Sequence, residues 1–330
     1  MKKKIFNGVK YTLFLATGVF LFWYLYKDMK MDTLLEDIRS IKYEWIVLSL
    51  FLSLLSHISR AMRWQMLVNT LGYKPRFSNS FFSVMIAYLA NLALPRLGEV
   101  TRPTIVKKYE NIPYTTSFGT IVLERIIDFL ILFLLTGVAL LSEYDVIAAF
   151  LKNNPEVYSK FVMIFKILII AIIAVVFMGG IFFFFIRKRI REFAFYKKFK
   201  ELSISFIEGI KTVKNIKNKP LFIFHSLFIW SMYFTSLYAC FFAFDFSAHI
   251  GIMAALITFV IGSYGMVAPV QGGIGAWHFM IISTLLIYNI DFDNAKLLAL
   301  VAHGSSTLQL ILLGSISLVL LPIFNRKKKV

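Results

Sequence analysis

Nine apolar runs, at 9–26, 46–68, 81–94, 118–141, 162–186, 221–244, 252–267, 274–290 and 297–321, dominate this chain of 330 residues. Runs of that length, joined by short polar segments, cannot all be enclosed by a water-facing surface. A bilayer is the solvent they fit. The composition agrees, with 58% hydrophobic residues and a mean hydropathy of +0.73. The expected fold class is all-α: a polytopic membrane helix bundle of about eight transmembrane helices, with one or two re-entrant or broken segments. In water this length suggests two domains, but here residues 1–330 read as a single integral membrane domain.

Loop charge fixes the sidedness that such a bundle would take. The net charge of +18 sits mainly in short inter-helix segments, a pattern that fits cytoplasmic loops beside anionic lipid and not a nucleic-acid partner. Residues 187–219 are dense in Lys and Arg and are expected on the cytoplasmic side, as are the tails MKKK and RKKK. Nine crossings would separate the two tails. Making 81–94, at about 14 residues the shortest run, re-entrant gives eight crossings and restores agreement. The re-entrant region is taken as 81–103, and Asp291–Asp293 falls outside. The first run ends in Trp23, Tyr24 and Tyr26 and lacks a small-residue cleavage site, so it reads as a retained helix and not a signal peptide. The one cysteine, Cys240, excludes an internal disulfide.

The stretch NLALPRLGEVTRPTIVKKYENIPYTTSFGTIVLERIID, residues 91–128, is too charged for an ordinary span. Pro95 and Gly98 interrupt helix, and Glu99 and Arg102 follow. Glu124, Arg125 and Asp128 then fall in the first turns of the next apolar helix, with Glu124 and Asp128 on one face and Arg125 a ready partner for Asp128. Such groups survive at membrane depth only when buried in protein or facing a wet cavity. Two readings stand: an ion pair that fixes packing, or a switchable network in which arginine binds a phosphate. Arginine suits the latter through its rigid fork of donors.

His57, Arg60 and Arg63 recur every three residues on one side of the second run. Arg60 is deep enough to face the same cavity, whereas Arg63, beside Trp64, reads as snorkelling to the interface. Within 187–219, Phe199, Leu202, Phe206, Ile210 and Val213 keep helical spacing. This basic cytoplasmic elbow is either an amphipathic helix on the inner leaflet or a helix packed on the bundle. A second break, 262–278, reads GSYGMVAPVQGGIGAWH, with Pro269, Gly272, Gly273 and Gly275 as hinge candidates beside Pro95 and Gly98. Its Pro-x-x-Gly echoes the first, and paired breaks in two halves point to a midplane site in repeat-built transporters. A simple tight turn is the other reading. His278 and His303 either bond a head group or are satisfied helix residues.

Catalytic and metal chemistry find little support. The histidines lack ligand spacing, and no HExxH, GxSxG or Walker lysine appears, so no catalytic residue, metal or cofactor is assigned.

Several segments together resemble the lysylphosphatidylglycerol synthase transmembrane-region, or flippase-like, family: Arg63–Trp64, NLALPRLGEVTRP at 91–103, LERIIDFLILF at 123–133 and PVQGGIGAWHF at 269–279. The resemblance covers nearly the whole chain. It implies an integral domain of about eight helices that moves lipid between leaflets of a bacterial cytoplasmic membrane. In larger members that domain is joined to an aminoacyl-transferase. The chain ends at RKKKV after its last apolar run, so lysyl-lipid synthesis is not expected of it.

The function expected is movement of a phosphate-bearing lipid, an anionic phospholipid or polyprenyl-phosphate lipid, with Arg60, Arg102 and Arg125 on the phosphate and Glu99, Glu124 and Asp128 balancing charge. Substituting Arg102 or Glu124 by alanine is then expected to stop transfer and leave abundance largely unchanged. The alternatives are a membrane-embedded transferase on a lipid-linked substrate, with Glu99 or Glu124 as base, and a membrane partner of a separate soluble enzyme.

Overall fold

A computed structural model describes residues 16–28, 31–153 and 212–326, together with scattered helical residues between 155 and 179. Most of the basic elbow 187–219 and most of the apolar run 162–186 lie outside the described residues. In chain order the helices are α1 (Ala16–Tyr26), α2 (Met31–Arg39), α3 (Tyr43–Asn69), α4 (Phe77–Ala93), α5 (Gly98–Glu110), α6 (Tyr114–Ser142), α7 (Tyr144–Asn153), α8 (Lys219–Phe242), α9 (Ile252–Val267), α10 (Ala276–Ile287) and α11 (Phe292–Phe324). Three of them, α3, α8 and α11, are long and apolar enough to cross a membrane. The pair α6 and α7, bent by 73° at its break, is a fourth candidate.

Small polar residues bring α3 and α8 together. Ser49, Ser53, Ser56 and Ser59 line one side of α3 and are buried. Ser49 Oγ lies 2.9 Å from Ser236 Oγ, and Ser59 Oγ lies 2.8 Å from His225 Nδ1. Short side chains let helix backbones approach, and each hydroxyl finds a partner where lipid offers none. These contacts pair the start of α3 with the end of α8 and the reverse, so the two helices run antiparallel.

Each of these long helices opens a unit with the same plan: long helix, short helix, Pro/Gly break, short helix, long helix. In the first unit α4 and α5 form a hairpin around Pro95; in the second, α9 and α10 form one around Pro269. Proline restricts the residue before it, and both Leu94 and Ala268 leave the helical region. The hairpins close tightly. A Cβ on Gly98 would overlap the Ala87 carbonyl oxygen, and one on Gly265 would lie 2.8 Å from Trp277 Cα.

The units exchange contacts crosswise. The closing helix of each packs on the opening hairpin helix of the other: Thr136 on α6 bonds Tyr264 on α9 at 2.9 Å, and Gly314 on α11 abuts Met85 and Leu89 on α4. The hairpin turns also meet, with Gly272 against Leu92. Antiparallel opening helices, matched hairpins and crossed contacts together describe an inverted pair of units.

Candidate functional site

Charged side chains converge where α3, α5, α6 and α8 meet. Glu124 and Asp128 lie one helical turn apart on the buried face of α6, as their spacing requires. Arg60 and Arg63 reach them from α3, and Arg102 from α5. Asp128 accepts hydrogen bonds from Arg60 Nη1 at 2.9 Å and Arg63 Nη2 at 2.8 Å. Glu124 accepts from Arg102 Nη1 at 2.6 Å and from Arg63 Nη2 at 3.5 Å. Tyr233 and Trp230 of α8 add donors or acceptors to Arg60 and Asp128. All five ionisable side chains are at least nine-tenths buried. Charge at this depth is tolerated only with such partners, because an unpaired buried ion costs several kcal/mol.

Arg102 is partnered on one side alone. Its guanidinium stacks on Trp64, 4.4 Å from the ring centroid, and its Nη1 holds Glu124. Its Nε and Nη2 meet no hydrogen-bond partner although both are buried. Those two nitrogens form the side edge of the guanidinium, the pair of parallel donors that matches two oxygens of a carboxylate or phosphate. Arg102 also lines a cavity with Arg60, Tyr88, Asn91, Glu99, Glu124 and Arg125. The cavity holds ≈ 20 Å³, room for about one water. At its rim Arg125 Nε sits 3.6 Å from Glu99 Oε1, and both side chains are partly exposed.

The hairpin turn sets this geometry. Arg96 takes a left-handed φ of 62°, which reverses the chain so that α5 runs back along α4. Asn91 Oδ1 then accepts the Gly98 amide at 2.7 Å, tying the turn to α4. Glu99 and Arg102, three residues apart, both project to the cavity.

Six of the seven sequence-chosen binding residues thus come together: Arg60, Glu99, Arg102, Glu124, Arg125 and Asp128. His278 does not join them. It lies on α10 among Phe22, Tyr26, Trp277 and His303, and its Nδ1 accepts the Gly275 amide at 3.4 Å. His303 meets the Gly272 carbonyl at 2.9 Å, so both histidines hold the second turn. In that turn Gly272, Gly273 and Gly275 have φ of 55°, 79° and 80°, a region costly for other residues. Gly275 also sits against Gly18 of α1.

Two pairings differ from expectation. Arg63 does not snorkel: its side chain is fully buried and bridges Glu124 and Asp128. Arg125 does not pair with Asp128; it points to the rim and meets Glu99, because Asp128 is already held by two arginines from α3. Tyr88, Asn91, Tyr233 and Trp230 were not singled out by the sequence. The signal for Arg63 was present, since Arg60 and Arg63 lie about one turn apart on one helix, as Glu124 and Asp128 do on another. Among the described residues no group of three or more His, Cys, Asp or Glu could hold a metal ion.

Comparison with known proteins follows the same lines. The chain is 23% identical over 233 residues to UPF0104 membrane protein MJ1078 of Methanocaldococcus jannaschii, a match covering 69% of this chain and 92% of that protein. A shorter match, 29% over 101 residues, is to UPF0104 membrane protein MJ1595 of the same organism and covers 30% of each chain. Glycosyltransferase AglD of Haloferax volcanii is 32% identical over 84 residues, 25% of this chain and 14% of that protein. The chain therefore spans well under two thirds of MJ1595 and of AglD. No solved structure matches. The family model described as the lysylphosphatidylglycerol synthase TM region matches residues 11–314, and the chain, a multi-pass membrane protein, belongs to that family.

Proposed function

We propose that this protein moves a phosphate-bearing lipid between leaflets, with the head group seated in the cleft beneath the first hairpin while the acyl or prenyl tails stay in the bilayer. The observation that carries this reading is the free Nε–Nη2 edge of Arg102, buried and lining a cavity. A buried donor pair without an acceptor is expensive unless a ligand supplies one. The cavity as it stands takes about one water, so a phosphate enters only when the hairpin shifts; the Glu99–Arg125 pair at the rim is the contact that would part.

The inverted units suit such movement, because two hairpins that enter from opposite faces and meet at their turns can open to either side. The charge of the sequence favours both tails and residues 187–219 on the inner side of a cytoplasmic membrane. Eight crossings result if α9 and α10 each traverse, and six if the second hairpin also enters and returns. Either count keeps that sidedness. At 16 and 12 residues, α9 and α10 are about 24 Å and 18 Å long, short of a ~30 Å core, which favours six.

The test is leaflet transfer of a fluorescent phospholipid in proteoliposomes. Wild type should transfer it and Arg102→Gln should not, with equal amounts of reconstituted protein. Equal rates would sink the assignment.

Likeness to a protein named as a glycosyltransferase supports a second reading, a transferase acting on a lipid-linked substrate. Glu124 is poorly placed to be its base, since both carboxylate oxygens are held by arginine; Glu99, at the rim, is the freer carboxylate. A glycosylated lipid formed from a labelled sugar donor by the purified protein would favour it. Transfer without chemical change would not.

A further inference from the structure

The cleft carries unequal charge. Four guanidiniums, of Arg60, Arg63, Arg102 and Arg125, face three carboxylates, of Glu99, Glu124 and Asp128. Every carboxylate is bound to at least one of these arginines. One positive charge is left over in the network, and the donor edge it offers to the cavity is that of Arg102, whose Nε and Nη2 have no partner; Arg63 Nε is also unpartnered, but Arg63 does not line the cavity. Arg96, the other arginine of this hairpin, is exposed and does not line the cavity. The flanking imidazoles, His57 and His225, can add positive charge on protonation but none to offset it.

We propose that the cleft selects lipid phosphates by charge: it is built for a phosphodiester, which brings one negative charge, and disfavours a phosphomonoester, which brings nearly two. This rests on the reading that a lipid phosphate enters here. A phosphodiester has two unesterified oxygens sharing one charge, the complement of the Nε–Nη2 edge, and seating it leaves the buried network neutral. A phosphomonoester at neutral pH carries about −1.5 to −2 and would leave excess negative charge at the same depth. Glu124 and Asp128 are then specificity-determining residues: they cancel enough of the arginine charge that only one negative unit is wanted. Glycerophospholipids and lipids bearing a sugar through a phosphate share this chemistry.

The experiment is equilibrium binding to the full chain in a non-ionic detergent at low salt and neutral pH, with dihexanoyl phosphatidylglycerol and dihexanoyl phosphatidic acid as probes. The acyl chains are the same and the head-group charge differs. Wild type should prefer the phosphodiester by about tenfold or more, and Arg102→Gln should lose binding of both. Removing one carboxylate should move the preference toward phosphatidic acid, by about tenfold in Glu124→Gln. Glu99→Gln, at the partly exposed rim where folding is not at stake, should shift it in the same direction by less. Equal or tighter binding of phosphatidic acid by wild type would overturn the charge rule, as would an unchanged ratio in both variants. Absence of any Arg102-dependent binding would instead overturn the lipid-phosphate reading beneath it. A soluble hexosyl-phosphoryl-citronellol probe separates the sources. Tighter binding than phosphatidylglycerol supports the phosphodiester rule with a sugar-bearing lipid as cargo, and weaker Arg102-dependent binding supports it with a glycerophospholipid.

Discussion

Removing the charge of Glu124 tests whether the network is coupled as the distances require. Glu124 holds Arg102 at 2.6 Å and lies 3.5 Å from Arg63, with its side chain 2% exposed. Substitution by glutamine keeps the shape and strips the charge, leaving Arg102 with no carboxylate. Breaking a buried pair by removing one partner costs about 3–5 kcal/mol, and because Arg63 retains Asp128 the lower end, about 3 kcal/mol, applies. Arg102→Gln should cost about as much, since Glu124 then keeps only its longer contact. The double variant removes both charges together and should be less destabilised than the sum by about 2 kcal/mol, within the range for residues in direct contact. Unfolding in mixed micelles can be followed by tryptophan fluorescence, because Trp64 stacks on Arg102. Additivity to within about 0.5 kcal/mol would refute the pairing. This also revises an expectation from the sequence: Glu124→Ala should lower abundance, and under the proposed function transfer as well, because the side chain holds two buried arginines.

Other substitutions probe the parts around the cleft. Gly98→Ala drives a methyl into the Ala87 carbonyl and should splay the first hairpin, costing about 1–3 kcal/mol and slowing lipid transfer; unfolding and transfer assays on the same preparation check both. Ser49→Leu should force α3 from α8 at their closest polar contact and destabilise the protein by a similar ~1–3 kcal/mol in the same unfolding assay. Arg125→Gln removes a rim contact at 3.6 Å between partly exposed groups, so stability should change by less than about 1 kcal/mol while lipid entry, followed in the transfer assay, speeds up. His303→Ala frees the Gly272 carbonyl and should raise hydrogen exchange at the second turn without altering binding of lipid at Arg102.

The residues alone made a membrane bundle unavoidable, since apolar runs of this length have no other solvent. They also located both breaks, because proline and glycine act through the backbone of their own neighbourhood. The i, i+4 spacing of Glu124 and Asp128 put both carboxylates on one face, and the three-residue spacing of Arg60 and Arg63 did the same on another helix. These are local geometric facts, readable from spacing.

Which face met which was decided only by tertiary packing. Arg125 follows Glu124 directly in sequence and so points to another side of α6; it reaches Glu99, while Asp128 is claimed by arginines more than sixty residues earlier. Arg63 looked like an interfacial residue because tryptophan beside arginine marks a membrane surface, yet α8 and α6 bury it. His278 sat close to the glycine-rich break in sequence but lines no part of the charged cleft, because it holds the turn of the second hairpin instead. The inverted pairing of the two units depends on antiparallel packing of α3 and α8, and the setting of Arg102 on the meeting of α5 with Trp64 of α3 and Glu124 of α6. The echoed Pro-x-x-Gly breaks marked two matched hairpins in the sequence, but not which faces they would bury against each other.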